Sequence, residues 1–278
     1  MAEQFQIGPE TTFGEFVEHK AETVGDEVYL TYIRDFDRGL DEKYTYRDMH
    51  LRSNRLANGL QRLGLEKGDG ISLVEINSPE FLFTVFASAK LGMYTVLVNT
   101  GLKGESLQYI IDHSDSKAAI LHWTLVDRYE ALRDQLPKLE HVIVDVNEAP
   151  AEFELPKGAL SLQEVMQAPE DAVDTKPDPT DMAILIYTSS TTGLPKATTF
   201  LYGRTFFGLA LHAPTFIAHG MGRAGDVFYT CLPLFHGNAL QLTSLPGFGA
   251  EFPVILSKRF SASRFWDIMR KYEVTNFN

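Results

Sequence analysis

From Tyr46 onward, short apolar runs alternate with amphipathic stretches of helical spacing, and this alternation restricts the possible folds more than any other feature. Residues 46–63 place Met49, Leu56, Leu60 and Leu63 on one helical face, with Thr45 as N-cap and Gly64 as the stop. Residues 71–76 (ISLVEI) predict a strand. Ser78-Pro79 opens the next helix, with proline at the first helical position, where a missing N–H costs nothing. The same reading gives strands at 94–99, 117–122 and 141–146 and helices at 105–113 and 125–136. The strands are mostly continuous apolar runs, as expected of parallel sheets covered on both faces. The fold class is therefore α/β: layered βαβ subdomains with mostly parallel sheets covered by helices.

Residues 168–181 (APEDAVDTKPDPTD) are rich in Pro and Asp and read as a surface connection between two lobes, dividing the chain at 175/176. The alternation then restarts. Strands are expected at 182–187, 226–232 and 252–257. Helices are expected within 202–219, near 238–245, and at 262–272, the last capped by Ser261. The chain ends in YEVTNFN, which reads as the start of another strand, so the second lobe is expected to be incomplete.

At 278 residues the chain is long enough for two subdomains and a substantial core. A net charge of −12 disfavours broad binding to nucleic acid, while peripheral membrane contact and a homodimer stay open. The single cysteine, Cys231, excludes an internal disulfide framework. It lies in the apolar run VFYTCLPLF and reads as a buried, inert thiol. With no basic-then-apolar leader at the N-terminus, the expected location is cytoplasmic.

One stretch departs from ordinary turn composition. After the apolar run 183–187 come five consecutive hydroxyl residues, Thr188, Ser189, Ser190, Thr191 and Thr192, then Gly193, Pro195 and Lys196. Small residues at a strand end let backbone N–H groups converge on an anion, and a lysine adds a compact positive charge suited to phosphate. A polar turn with a solvated lysine accounts for the same composition, and the residues alone leave the two readings level. The spacing does not fit the nucleoside-triphosphatase loop, because Thr188 stands where its first glycine would be and Leu194 follows Gly193.

YTSSTTGLPKA resembles the signature phosphate loop of the AMP-forming adenylate synthetase superfamily, usually Tyr-Thr-Ser-Gly-Thr-Thr-Gly-x-Pro-Lys-Gly. Ser190 and Ala197 stand where that pattern has glycine. The segments YTYRDMHLRSNRLANGL, GLEKGDGISLVEINSPEFLFTVFASAKLG and CLPLFHGNAL resemble the same family in order and spacing. KRFSASRFWDIMRKYEVT is similar to the fatty-acid-transport and crotonobetaine/carnitine-CoA ligase branches. The resemblance implies an acyl-CoA synthetase that joins a carboxylic acid to coenzyme A, using ATP and Mg²⁺. It places β- and γ-phosphate binding on Thr188–Gly193 and Lys196, with Thr188 as the Mg²⁺ contact. His236 would lie beside the carboxylate substrate, where an imidazole can orient it or gate the tunnel; a base is not needed, since a carboxylate is already ionised at neutral pH. Asn238, Ala239 and Leu240 would line an acyl pocket, with helix core as the plain alternative.

The aromatic stretch 205–216 reads either as an acyl-tunnel wall or as a buried helix. His50, His113, His122, His141, His212 and His219 have no metal-like spacing beyond a weak pair and read as structural. The family's Tyr-Gly-x-Thr-Glu segment, its ribose-binding Asp and its late catalytic Lys find no match before Asn278, so this stretch alone is expected to be inactive. A fatty or other aliphatic acid is the leading substrate class. A crotonobetaine/carnitine-type ligase is the runner-up, and a non-catalytic anion-binding or interaction module is the reading from another class.

Overall fold

Residues 11–173, 175–190, 193–207, 222–223 and 225–277 are described by the structure, a computed structural model. Three elements precede the first helix expected from the periodicity. α1 (Phe13–Thr23) opens on a reciprocal cap: the Glu15 N–H donates to Thr12 Oγ1 (3.1 Å), and the Thr12 N–H donates to the Glu15 carboxylate (2.7 Å). β1 (Val28–Asp35) and β2 (Leu40–Thr45) then pair antiparallel.

α2 (Tyr46–Arg62) follows with the caps its sequence promised. Thr45 Oγ1 accepts the Asp48 N–H (3.1 Å), and Asp48 Oδ2 accepts both the Thr45 N–H and its hydroxyl (2.9 Å each). At the other end Gly64 sits at φ +84°, with Leu65 N–H donating to Leu60 O and Gly64 N–H to Gln61 O. That is the Schellman pair, and the left-handed residue it needs is the glycine.

The described residues fall into two compact units, each with its own sheet. One comprises Arg52–Ile76 and Glu80–Leu201. Its strands are β3 (Gly70–Val74), β4 (Tyr94–Leu97), β5 (Ser116–His122), β6 (His141–Asp145), β7 (Leu160–Ser161), β8 (Met182–Ser190) and β9 (Gly193–Leu201). They form one seven-stranded sheet ordered β7-β6-β5-β3-β4-β8-β9. All neighbours are parallel except β8 and β9. β3 and β4 are buried at every position, as a parallel sheet covered on both faces requires.

α3 (Pro79–Leu91) is buried along its whole length, which explains its apolar character all round. α4 (Glu105–His113) buries Leu107, Ile110 and Ile111 into a cluster with Val96, Leu121 and Val144. The helix expected at 125–136 is broken: α5 (Val126–Glu130) lies between single 3-10 turns at Trp123–Leu125 and Arg133–Gln135. Val126, Tyr129, Leu132 and Leu136 are buried all the same, so the apolar stripe survives the break. α6 (Leu162–Val165) carries a second reciprocal cap, between Ser161 and Glu164.

The other unit holds the described residues of Met1–Leu51, Asn77–Pro79 and Tyr202–Asn278. Its five-stranded sheet is ordered β12-β10-β11-β1-β2, with β10 (Phe228–Thr230), β11 (Val254–Ser257) and β12 (Asn276–Phe277). β1, β11, β10 and β12 run parallel. Ile33, Tyr229, Cys231, Ile255, Ile268 and Met269 form a core cluster there, the last two from α9 (Phe265–Lys271). α7 (Gly237–Ala239), a π-helical turn (Leu240–Ser244) and α8 (Leu245–Ala250) run on without a gap. The Ser244 hydroxyl donates to Ala239 O (2.9 Å), five residues back, the spacing of that wider turn.

Three expectations change. Residues 168–181 do not join two lobes, because both ends belong to the unit of the seven-stranded sheet, where β8 extends the sheet beside β4. The stretch is tied down locally: Asn54 donates to Glu170 O, Asn58 to Pro169 O and Asp171 O, and Lys67 to Lys176 O. The compact units accordingly do not follow the 175/176 division. Ser261 does not cap α9; the helix begins three residues later, and Ser261 Oγ faces Ser263 Oγ at 3.3 Å.

Candidate functional site

The hydroxyl run begins where the core of the seven-stranded sheet ends. Ala183, Ile184 and Leu185 are buried, Ile186 and Tyr187 partly so, and Thr188 is exposed. β8 continues through Ser190, and β9 returns antiparallel with Tyr187 opposite Ala197, Thr188 opposite Lys196 and Ser190 opposite Gly193. The ladder is irregular between Thr188 and Ser190. The expected loop between a strand and a helix is thus the end of a β-hairpin. Thr198 to Phe200 extend the return strand because the Thr-Thr-Phe-Leu sequence carries strand-forming β-branched and aromatic residues.

Thr191 and Thr192 lie outside the described residues. Lys196 is exposed, on the strand directly across from Thr188. The hairpin therefore presents one hydroxyl and one ammonium at matched register, both in reach of solvent. A hydroxyl is a hard oxygen of the type Mg²⁺ accepts together with substrate phosphate oxygens. Among the described residues no group of three His, Cys, Asp or Glu could hold a metal ion, so Thr188 fits a cation only as one ligand in a shell completed by phosphate.

The base of the hairpin is anchored by aromatic rings. Tyr187 Oη and His113 Nδ1 are hydrogen-bonded at 2.8 Å. Tyr109 packs edge-on to Tyr187 (6.4 Å between centroids) and lies 4.9 Å from the His113 ring. Burial, helped by the nearby Tyr109, Tyr94 and Asp115, pushes the Tyr187 phenol up to about 12. His113 was expected to be structural, and this bond to the first residue of the signature gives it that role.

His236 belongs to the other unit. It is the N-cap of α7, in extended backbone (φ −97°, ψ 139°), and its side chain makes no capping bond. The imidazole is exposed and lies 4.8 Å from the Phe235 ring. Asn238 is exposed too, whereas Ala239 and Leu240 are completely buried. The three residues expected to line one wall thus divide between surface and core. Just upstream, Cys231 is buried and burial pushes its thiol up, in keeping with an inert thiol. Most of the aromatic stretch 205–216 lies outside the described residues.

Asn77 escaped the sequence reading. It is 4 % exposed, and its carboxamide donates to Leu232 O (2.9 Å) and to Ser257 O (3.0 Å) while accepting the Leu234 N–H (2.8 Å). The turn that leads to His236 is closed by the His236 N–H donating to Pro233 O (2.9 Å). An Asn directly before Ser-Pro at a helix start is the local signal that was available, but its partners lie 155 and more residues away.

Residues 17–278 match the family described as AMP-binding enzyme. The chain is 29% identical over 269 residues to a medium/long-chain-fatty-acid–CoA ligase of Mycobacterium tuberculosis, covering 96% of this chain and 41% of that protein. It is 29% identical over 260 residues to a crotonobetaine/carnitine–CoA ligase of Salmonella paratyphi A, covering 92% of this chain and 48% of that protein. A long-chain-fatty-acid–CoA ligase structure from Archaeoglobus fulgidus superposes with a TM-score of 0.83 at 22% identity, over 99% of this chain and 54% of the other, a likeness of fold. The chain spans less than half the length of these curated relatives.

Proposed function

Because the chain belongs to the AMP-binding enzyme family, we propose that it supplies the N-terminal portion of an AMP-forming acyl-CoA synthetase whose acid is fatty or otherwise aliphatic. The observation that carries this reading is the hairpin, with Lys196 across from Thr188 at the exposed end of a strand rooted in the core. In the first half-reaction a carboxylate oxygen bonds to the α-phosphorus of ATP and the bond to pyrophosphate breaks. Negative charge then grows on the leaving pyrophosphate. An ammonium and hydroxyl donors fixed by a β-ladder stabilise that charge without having to reorganise. In the second half the thiol of coenzyme A bonds to the acyl carbon, AMP leaves, and the thiol proton passes to solvent. The role proposed for Thr188 toward Mg²⁺ belongs to the first half, and that for His236 is to orient the acid.

A fatty acid is favoured by the Mycobacterium tuberculosis relative, and a small trimethylammonium acid by the Salmonella one. ATP–pyrophosphate exchange with a panel of carboxylic acids separates them. The protein of the relatives' full length should exchange with medium or long fatty acids, and exchange with carnitine-like acids alone selects the second reading. The 278-residue chain alone should not exchange, since segments that resemble the family's ribose contact and late lysine are not found in it. Absence of exchange with every acid in the full-length protein removes the ligase reading and leaves a non-catalytic module.

A further inference from the structure

We propose that Asn77 is the positioning residue for His236, fixing the backbone turn from which the imidazole projects; this rests on the reading of His236 as the group beside the acid substrate. The His236 side chain is exposed and its ring neighbour is Phe235, next to it in sequence, so the direction of the ring is set by the backbone that carries it. That backbone has just left β10 and must reverse through Pro233 into α7. A turn of this kind has carbonyl and N–H groups outside any ladder, and each buried one needs a partner.

Asn77 supplies two of them, and a partner for the end of β11 as well, from one side chain. Its two N–H bonds go to Leu232 O, in the turn, and Ser257 O, at the end of β11, and its oxygen takes the Leu234 N–H. The neighbouring ladder is thereby linked to the turn at Leu232 and Leu234, four and two residues ahead of His236. The orientation of the carboxamide is dictated by its partners. Reversing it would set its oxygen against two carbonyls and its nitrogen against an N–H. Asparagine is thus required as a donor and an acceptor at once. An aspartate has the same shape and keeps the acceptor for the Leu234 N–H, yet its second oxygen stands where two carbonyls need a donor.

Asn77 is distant from the substrate chemistry in kind as well: it is fully engaged by backbone and has no group left for a ligand beyond one lone pair of its oxygen. Its influence on the reaction must pass through the turn. That predicts a pattern distinct from a general loss of stability.

Two measurements on the 278-residue chain test the geometry. In the unaltered chain the Asn77 carboxamide protons should exchange slowly with solvent, and rapid exchange of both overturns the proposal. In Asn77→Ala protection of the Leu234 amide should fall roughly tenfold or more, as loss of a buried hydrogen bond implies. The His236 imidazole resonance should shift, while the resonances of His113, His122 and His141 in the other unit stay in place. An unmoved His236 resonance with Leu234 still protected overturns it. In the full-length protein, Asn77→Ala and His236→Ala should each raise KM for the acid more than they lower kcat, and the double variant should be no worse than the weaker single. Additive losses mean that Asn77 acts by another route. Failure of the unaltered full-length protein to exchange would count against the ligase reading, and the two measurements on the chain would still decide the role of Asn77.

Discussion

Lys196 and Thr188 face each other across the hairpin at exposed positions, so neither contributes a buried contact on which folding depends. Removing the ammonium should therefore separate chemistry from stability. On the proposed ligase reading, Lys196→Ala in a protein of the relatives' full length is expected to lower the adenylation rate about a hundredfold, the scale of losing one preorganised charge-stabilising donor. The unfolding free energy should move by no more than about 0.5 kcal/mol, as for an exposed site. Single-turnover pyrophosphate release and urea unfolding measure the two. An adenylation rate left unchanged removes the phosphate role from Lys196. The residue types at this end of the chain's chemistry were readable in sequence because phosphate binding needs small donors and a cation close together. Asn77 was not, because its function consists of partners at Leu232, Leu234 and Ser257 that only folding brings near.

At the scale of elements, α2 illustrates how much a local sequence can specify. Its start is closed by Thr45 and Asp48 and its end by Gly64, all within four residues of the helix. Gly64→Ala should cost about 1 kcal/mol, since at φ +84° an added Cβ meets no neighbour within 4 Å and the cost is backbone strain alone. Thr45→Ala should also cost about 1 kcal/mol through loss of the cap. Urea midpoints of the two variants read these costs, and a neutral Gly64→Ala would mean that the C-terminal turn refolds around the substitution. β9 shows the converse, whereas α1 carries a local signal as α2 does. The reciprocal cap Thr12-x-x-Glu15 was a legible start signal for α1. β9 lacked one, because its Gly-Leu-Pro-Lys opening reads as turn material and only the antiparallel register with β8 makes it a strand.

Among the described residues, burial raises the pKa of several tyrosines. Tyr94 and Tyr187 are pushed up to about 12 chiefly by burial, as is Tyr272, and Tyr29, Tyr46 and Tyr229 are raised further. Tyr94 is 5 % exposed and its hydroxyl donates to Ser114 O (2.7 Å). A folded-state pKa above the ordinary 10.0 means that the fold favours the un-ionised phenol. The associated stability is whole below pH 10 and is lost as pH rises toward 12. Absorbance of tyrosinate at alkaline pH should therefore appear in two stages, the second together with loss of far-ultraviolet circular dichroism. A single ordinary titration of all 11 tyrosines with the fold intact would contradict this. No helix among the described residues is long and apolar enough to cross a membrane.

The sequence by itself determined the α/β class, the caps of α2, the buried parallel strands and the hydroxyl-lysine stretch. Each of these depends on residues within a few positions of one another, where periodicity, capping and turn chemistry act. Tertiary structure alone decided that residues 168–181 stay within one unit, that Asn77–Pro79 belongs to the unit of the five-stranded sheet, and that Ala239 and Leu240 are core while His236 and Asn238 face solvent. Those outcomes follow from which strand edge accepts β8 and which carbonyls remain to be satisfied after the sheets form. Both are set by partners far along the chain, which no local pattern encodes.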